Sequence, residues 1–167
     1  MNKVETVPLL LKVPAYDINV ASAVSIVSGV LKSAHLRFES NPAVLTEEDI
    51  FKIYGEHPKV IFYSQLVRYA NKPLRVWMVT GRGAISKVSK LKGLATDPAK
   101  CAEGTMRHML ARLLDRRGVN LLSRSGKPTG ITIVENYVHS PNHAEVVRDM
   151  GVFKKFFVER VKKRFGE

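Results

Sequence analysis

A chain of 167 residues, 45% hydrophobic and 25% charged, has enough apolar material for one globular domain, expected to span 1–167. Its 27 Lys and Arg against 15 Asp and Glu give a formal charge of +12, which favours polyanionic partners such as nucleotides, nucleic acid or acidic surfaces. No apolar run nears the ~20 residues that cross a bilayer, and the start MNKVETVPLLLKV is unlike a secretory leader, so a cytoplasmic location is expected. The single Cys101 excludes a disulfide framework and a multi-cysteine zinc site.

In chain order, VPLLLK (7–12) reads as a buried strand ending in Lys12. Asp17 then caps a helix on which Val20, Val24, Val27 and Leu31 recur at helical spacing. HLRFES (35–40) returns as a second strand, and Thr46 opens an acidic-first helix in which Asp49 stands where a capping box usually has Glu or Gln. Another short helix is expected after Pro58. LRVWMVT (74–80) is the clearest strand, with Val76, Met78 and Thr80 on one face and Arg75, Trp77 and Val79 on the other. A helix follows from about Ala84 to Leu91.

From about Leu110 to Thr129 the composition shifts to Arg112, Arg116, Arg117, Arg124 and Lys127 against Asp115 alone, which reads as an inserted basic arm. GITIVENYV reads as a strand that delivers His139 to a strand-to-helix junction. There Ser140 is expected as the N-cap, Pro141 as the first helical residue and Gly151 as the stop. At the C-terminal end Phe153, Phe157 and Val161 form the apolar stripe of a docked helix. This order of elements predicts an α+β fold, a small antiparallel sheet covered by helices.

Two stretches suggest chemistry. TGRGAISK (80–87) lacks the GKS/T ending of a P-loop and the spacing of a dinucleotide fingerprint, so a strand-to-helix turn suffices for it. ATDPAKCAEGTMRH (95–108) gathers Thr96, Thr105 and Arg107, hydroxyl donors and a guanidinium fork suited to phosphate oxygens. His139 adds an imidazole, a nucleophile when unprotonated, beside an expected helix N-terminus that would favour an arriving anion.

TDPA followed by EGTMR resembles the TNPA…PGTIR of nucleoside diphosphate kinases, and NYVH resembles that family's NIIH with its phosphorylated histidine. The resemblance runs over most of the chain in the family's order and implies a ferredoxin-like antiparallel sheet covered by helices. It further implies that His139 accepts a γ-phosphate from one nucleoside triphosphate and passes it to another diphosphate. Lys12, Tyr54, Lys90, Thr96, Thr105, Arg107 and Asn136 would hold the nucleotide, and Phe62 or Tyr63 would stack on the base. Mg²⁺ would arrive on the triphosphate, and a hexameric or tetrameric homo-oligomer would be the assembly.

Several positions depart from the family pattern. KPDG is KVPA, the arginine expected before the TDPA loop is Lys90, RGDF is RHML, and the GSD after the histidine is SPN, leaving Ser140 as the candidate serine. The acid that orients the histidine is Asp149 instead of glutamate, and the step from arginine to asparagine has grown to accommodate the basic arm. These departures define the alternative: a kinase-like domain of weak or no turnover that binds nucleic acid or serves an assembly through its arm.

Overall fold

The computed structural model describes residues 3–12, 20–55, 66–95, 97–115 and 137–157. Four strands form one antiparallel sheet: β1 (Val4–Leu11), β2 (Arg37–Val44), β3 (Pro73–Arg82) and β4 (Val138–His139), in the spatial order β2-β3-β1-β4. The helices are α1 (Val20–Ser33), α2 (Glu47–Tyr54), α3 (Ala84–Lys92), α4 (Met106–Asp115) and α5 (Val146–Phe153), with 3₁₀ turns at Val67–Tyr69 and Pro98–Lys100. This is the expected α+β, ferredoxin-like arrangement.

The central strands are covered on both faces, which is why β1 reads as a continuous apolar run and not as a strict alternation. Val7, Leu9 and Leu11 of β1 join Trp77 and Val79 of β3 in a core closed by Val27 and Leu31 of α1, Val88 of α3, and Met106 and Leu110 of α4. Leu10 and Val76 face the other way, into a second core with Ile50 and Ile53 of α2 and Phe153 of α5. The two-residue period predicted for 74–80 therefore holds, with both sets of side chains packed.

Local capping matches the sequence at α2. The Thr46 hydroxyl accepts from the Asp49 amide at 3.1 Å and the Asp49 carboxylate accepts from the Thr46 amide at 2.9 Å, so aspartate completes the box. The turn into α3 also behaves as read: Gly83 takes the left-handed conformation (φ 61°), and the Ile85 amide donates to Glu5 Oε2 at 3.1 Å. The protein's own carboxylate thus occupies the amide that a phosphate loop would have offered.

Other boundaries move. β2 extends to Val44 through Pro42, a residue tolerated because β2 is an edge strand. Residues 110–115 are not the start of an arm: they complete α4, because Leu110 lies one turn beyond Met106 and both are fully buried. The remainder of the expected arm, the Asp17 cap, Val161 and residues 59–65 of the helix expected after Pro58 (59–70) lie outside the described residues, and the described end of that helix is the 3₁₀ turn Val67–Tyr69.

Ser140 is not an N-cap, and α5 begins only at Val146. The N-cap is Glu145, which has no side-chain cap hydrogen bond, and the turn before it is closed by Asn142. The Asn142 side-chain oxygen accepts from the Ala144 amide at 2.8 Å and the Glu145 amide at 3.1 Å, while its own amide donates to Glu145 Oε2 at 3.1 Å. The helix then runs through Gly151 to Phe153, since the burial of Val152 and Phe153 outweighs the low helix propensity of one glycine.

Candidate active site

Strand register sets the site. Leu10 pairs with His139 and Leu11 with Val138, and cross-strand partners share a face, so Val138 points into the first core and His139 follows Leu10 toward α2 and α5. Lys12, two residues beyond Leu10, follows the same face. Its ammonium lies 5.7 Å from the Tyr54 ring centre and 5.8 Å from that of Tyr69, and its amide donates to the Tyr137 carbonyl at 2.6 Å. A slip of one residue in the β1–β4 pairing would exchange His139 for a core position.

The imidazole is held from two sides. The Tyr54 ring meets it edge to face, with centroids 4.8 Å apart and planes at 62°. From α5 the wholly buried Asp149 places Oδ2 2.8 Å from His139 Nε2, and its Oδ1 accepts from Arg148 Nε at 3.0 Å. A carboxylate shared with a guanidinium can only accept, so Nε2 carries the ring proton and Nδ1 presents its lone pair.

Burial pushes the His139 pKa below its ordinary value; the Asp149 contact opposes this, and the charges of Lys12 and Lys92 reinforce it. Burial and cations, not the expected helix N-terminus, favour the neutral ring, because six residues separate His139 from Val146. The Tyr54 phenol is pushed far up, first by burial and then by Asp149, and stays protonated.

Arg107, near the start of α4, is buried and reaches three backbone carbonyls: Nη1 donates to Gly93 at 3.0 Å and Ala95 at 2.7 Å, and Nη2 to Val138 at 3.0 Å. The guanidinium expected to grip phosphate thereby also ties the loop after α3 to β4. Thr105 donates its hydroxyl to the Ala102 carbonyl at 2.7 Å, inside its own turn. Ser140 is buried, its carbonyl accepts from Lys92 Nζ at 3.1 Å, and its hydroxyl has no partner among the described residues.

His139, Lys12, Tyr54, Asp149, Ser140 and Arg107 thus come together. Lys90 is exposed on α3. Thr96, Asn136, Phe62 and Tyr63 lie outside the described residues. Family spacing points to Lys90, whereas Lys92, which the sequence reading did not single out, is the lysine of α3 that donates to the Ser140 carbonyl beside His139. Lys92 lies one turn beyond the buried Val88, whereas Lys90 lies on the opposite side of the helix from that residue.

Among the described residues no group of three or more His, Cys, Asp or Glu could hold a metal ion. The side chains around His139 are predominantly cationic, which suits an anion and repels a bare metal. No helix among the described residues is long and apolar enough to cross a membrane.

A family model described as nucleoside diphosphate kinase matches residues 20–157. The chain belongs to the nucleoside diphosphate kinase family. The family's enzyme from Rhodopseudomonas palustris (strain TIE-1) is 29% identical over 113 residues, covering 66% of this chain and 78% of that relative. Among solved structures, the nucleoside diphosphate kinase of Halobacterium salinarum in complex with CDP aligns with a TM-score of 0.61 at 22% identity, over 90% of this chain and 88% of that one. That of Borrelia burgdorferi, a transition-state mimic with bound vanadate and ADP, aligns with a TM-score of 0.63 at 19% identity, over 90% and 86%. Nucleoside diphosphate kinase membership makes this chain a phosphotransferase, and the structural likeness carries the fold.

Proposed function

We propose that the chain moves the γ-phosphate of a nucleoside triphosphate to a nucleoside diphosphate through a phosphohistidine at His139. The observation that carries this reading is the His139 Nε2 contact to Asp149 at 2.8 Å, which leaves Nδ1 as the free nucleophile in a buried, cation-lined setting.

In the first half-reaction the Nδ1 lone pair forms a bond to the γ-phosphorus as the bond to the β,γ-bridging oxygen breaks. The diphosphate leaves with that electron pair. The ring, still protonated at Nε2, gains positive character that Asp149 balances. In the second half-reaction a terminal oxygen of another diphosphate attacks the phosphorus and the N–P bond breaks, restoring the neutral ring. No net proton moves, so the carboxylate orients and compensates without acting as a base.

Mg²⁺ would enter with the triphosphate as part of the substrate, where it would offset the charge of the phosphates. Lys12 supplies charge to the transferring group, and Arg107 combines its charge with its clamp on the two backbone segments. Ser140 and Tyr54 line the same region, and Thr105, Thr96, Asn136 and one of Phe62 or Tyr63 are nucleotide contacts by family resemblance. A homo-oligomer is the expected assembly on the same ground.

Steady-state exchange between a triphosphate of one base and a diphosphate of another tests the cycle. Parallel double-reciprocal lines, and loss of turnover in a folded His139→Ala variant, are expected. Intersecting lines, or a variant that still turns over, would contradict it.

A further inference from the structure

We infer that Lys92 is the α3 cation that binds a phosphate oxygen of the nucleoside diphosphate, the part that family spacing assigns to Lys90. The inference rests on the proposed kinase reading and adds a residue to it.

Three observations converge. First, Lys92 is the cation of α3 that reaches the site: its Nζ donates to the carbonyl of Ser140, the neighbour of His139, while Lys90 is exposed. Secondly, that is one hydrogen bond from an ammonium with three donors, and the other two have no partner among the described residues. Arg107 Nη1, by contrast, already serves two carbonyls. Thirdly, buried polar atoms cluster here without partners among the described residues: the Ser140 hydroxyl, the Tyr54 phenol oxygen and Arg107 Nε. Buried polar groups are nearly always satisfied, so such a cluster beside an ammonium with free donors fits a polar, anionic ligand.

The ammonium also bears a cost that an anion would relieve. Burial, and then repulsion from Arg107 on α4, push its pKa down to about 8, against smaller opposing effects of Glu145 before α5 and Cys101 behind the loop. His139 on β4 feels the same charge, which lowers its own pKa. A phosphate oxygen at Nζ would stabilise the charged form, so diphosphate binding would weaken as pH rises through about 8. Within that range burial holds the Cys101 thiol above its ordinary value, and Arg107, though lowered by burial, remains protonated.

The test is calorimetric binding of ADP with Mg²⁺ to the full chain and to Lys92→Met, Lys90→Met and Lys87→Met, each with a thermal melt. Lys92→Met should bind about 10- to 100-fold more weakly, the loss expected for a charge-assisted contact, while melting no lower than the parent. Lys87→Met, which removes an exposed charge from the same helix, should stay within about twofold. Parental affinity in Lys92→Met, or the larger loss in Lys90→Met, would overturn the inference. Should Lys92→Met not fold, the parent's ADP affinity from pH 7.5 to 9.5 decides: a fall supports Lys92, and a flat profile overturns it. A parent that binds no ADP at all defeats the kinase reading along with it.

Discussion

In the proposed mechanism Asp149 acts on the reaction through His139 and is a positioning residue. Its Oδ2, 2.8 Å from Nε2, fixes which ring nitrogen carries the proton, and its charge would balance the phosphorylated ring. Asp149→Asn keeps the shape and loses the charge, so kcat should fall by roughly 100-fold or more in a folded protein. The pH profile separates this role from a structural one. Asp149 raises the His139 pKa against the stronger lowering by burial, so the acid limb of kcat/KM should lie below the ordinary histidine value of about 6.5 in the parent and move lower still in the variant. An acid limb that rises on substitution would contradict the assignment. Stability carries the same sign. Between about 6.5 and the depressed folded value the unfolded chain binds the extra proton, so this contribution is lost as pH falls through that window.

At the scale of elements, the site depends on the loop between α3 and α4. Gly93 has φ 104°, and a Cβ there would stand 2.6 Å from the Cys101 sulfur, whose thiol donates to the Ala95 carbonyl at 3.2 Å. Its own carbonyl receives Arg107. Gly93→Ala therefore strains the backbone and displaces the sulfur together, and should cost about 1–3 kcal/mol in a denaturant melt. It should also weaken nucleotide binding, since Arg107 loses an anchor; an unchanged melt and affinity would refute the account of this loop.

Helix α3 shows what was legible in the sequence at this scale and what was not. Its existence and its buried face follow from Ala84, Ile85 and Val88, and that same face carries Lys92. Family spacing alone points to Lys90, which the structure leaves exposed, because a motif fixes positions along the chain and not directions around a helix. The start of α5 misleads for a different reason. Ser140 and Pro141 form a plausible cap and first turn, but Asn142 and Glu145 satisfy each other's amides in a turn that precedes the helix start at Val146.

Across the whole molecule, the order β2-β3-β1-β4 brings residues distant in sequence to one end of one sheet face. Lys12 leaves β1, His139 ends β4, and α2 and α5 cover them with Tyr54 and Asp149. Apolar patterning made the strands and both cores readable, because each face of β1 and β3 needs its own set of large side chains. The pairing of Leu10 with His139 was not readable, since a two-residue strand has too little pattern of its own to fix its register. A far contact also steadies this end. Lys155, just after α5, reaches Asp49 at 2.6 Å, and Asn41 on β2 donates to the Phe156 carbonyl at 2.7 Å, so the segment following the Asp149 helix is fastened to both α2 and the sheet.

In the proposed function this arrangement makes His139 a phosphoryl carrier. The most direct measurement is to incubate the purified chain with γ-labelled ATP and Mg²⁺, map the labelled residue, and chase with a second nucleoside diphosphate. An acid-labile label on His139 that passes to the added diphosphate is the predicted result. A protein that binds the nucleotide yet takes no label, or takes it on another residue, would contradict it.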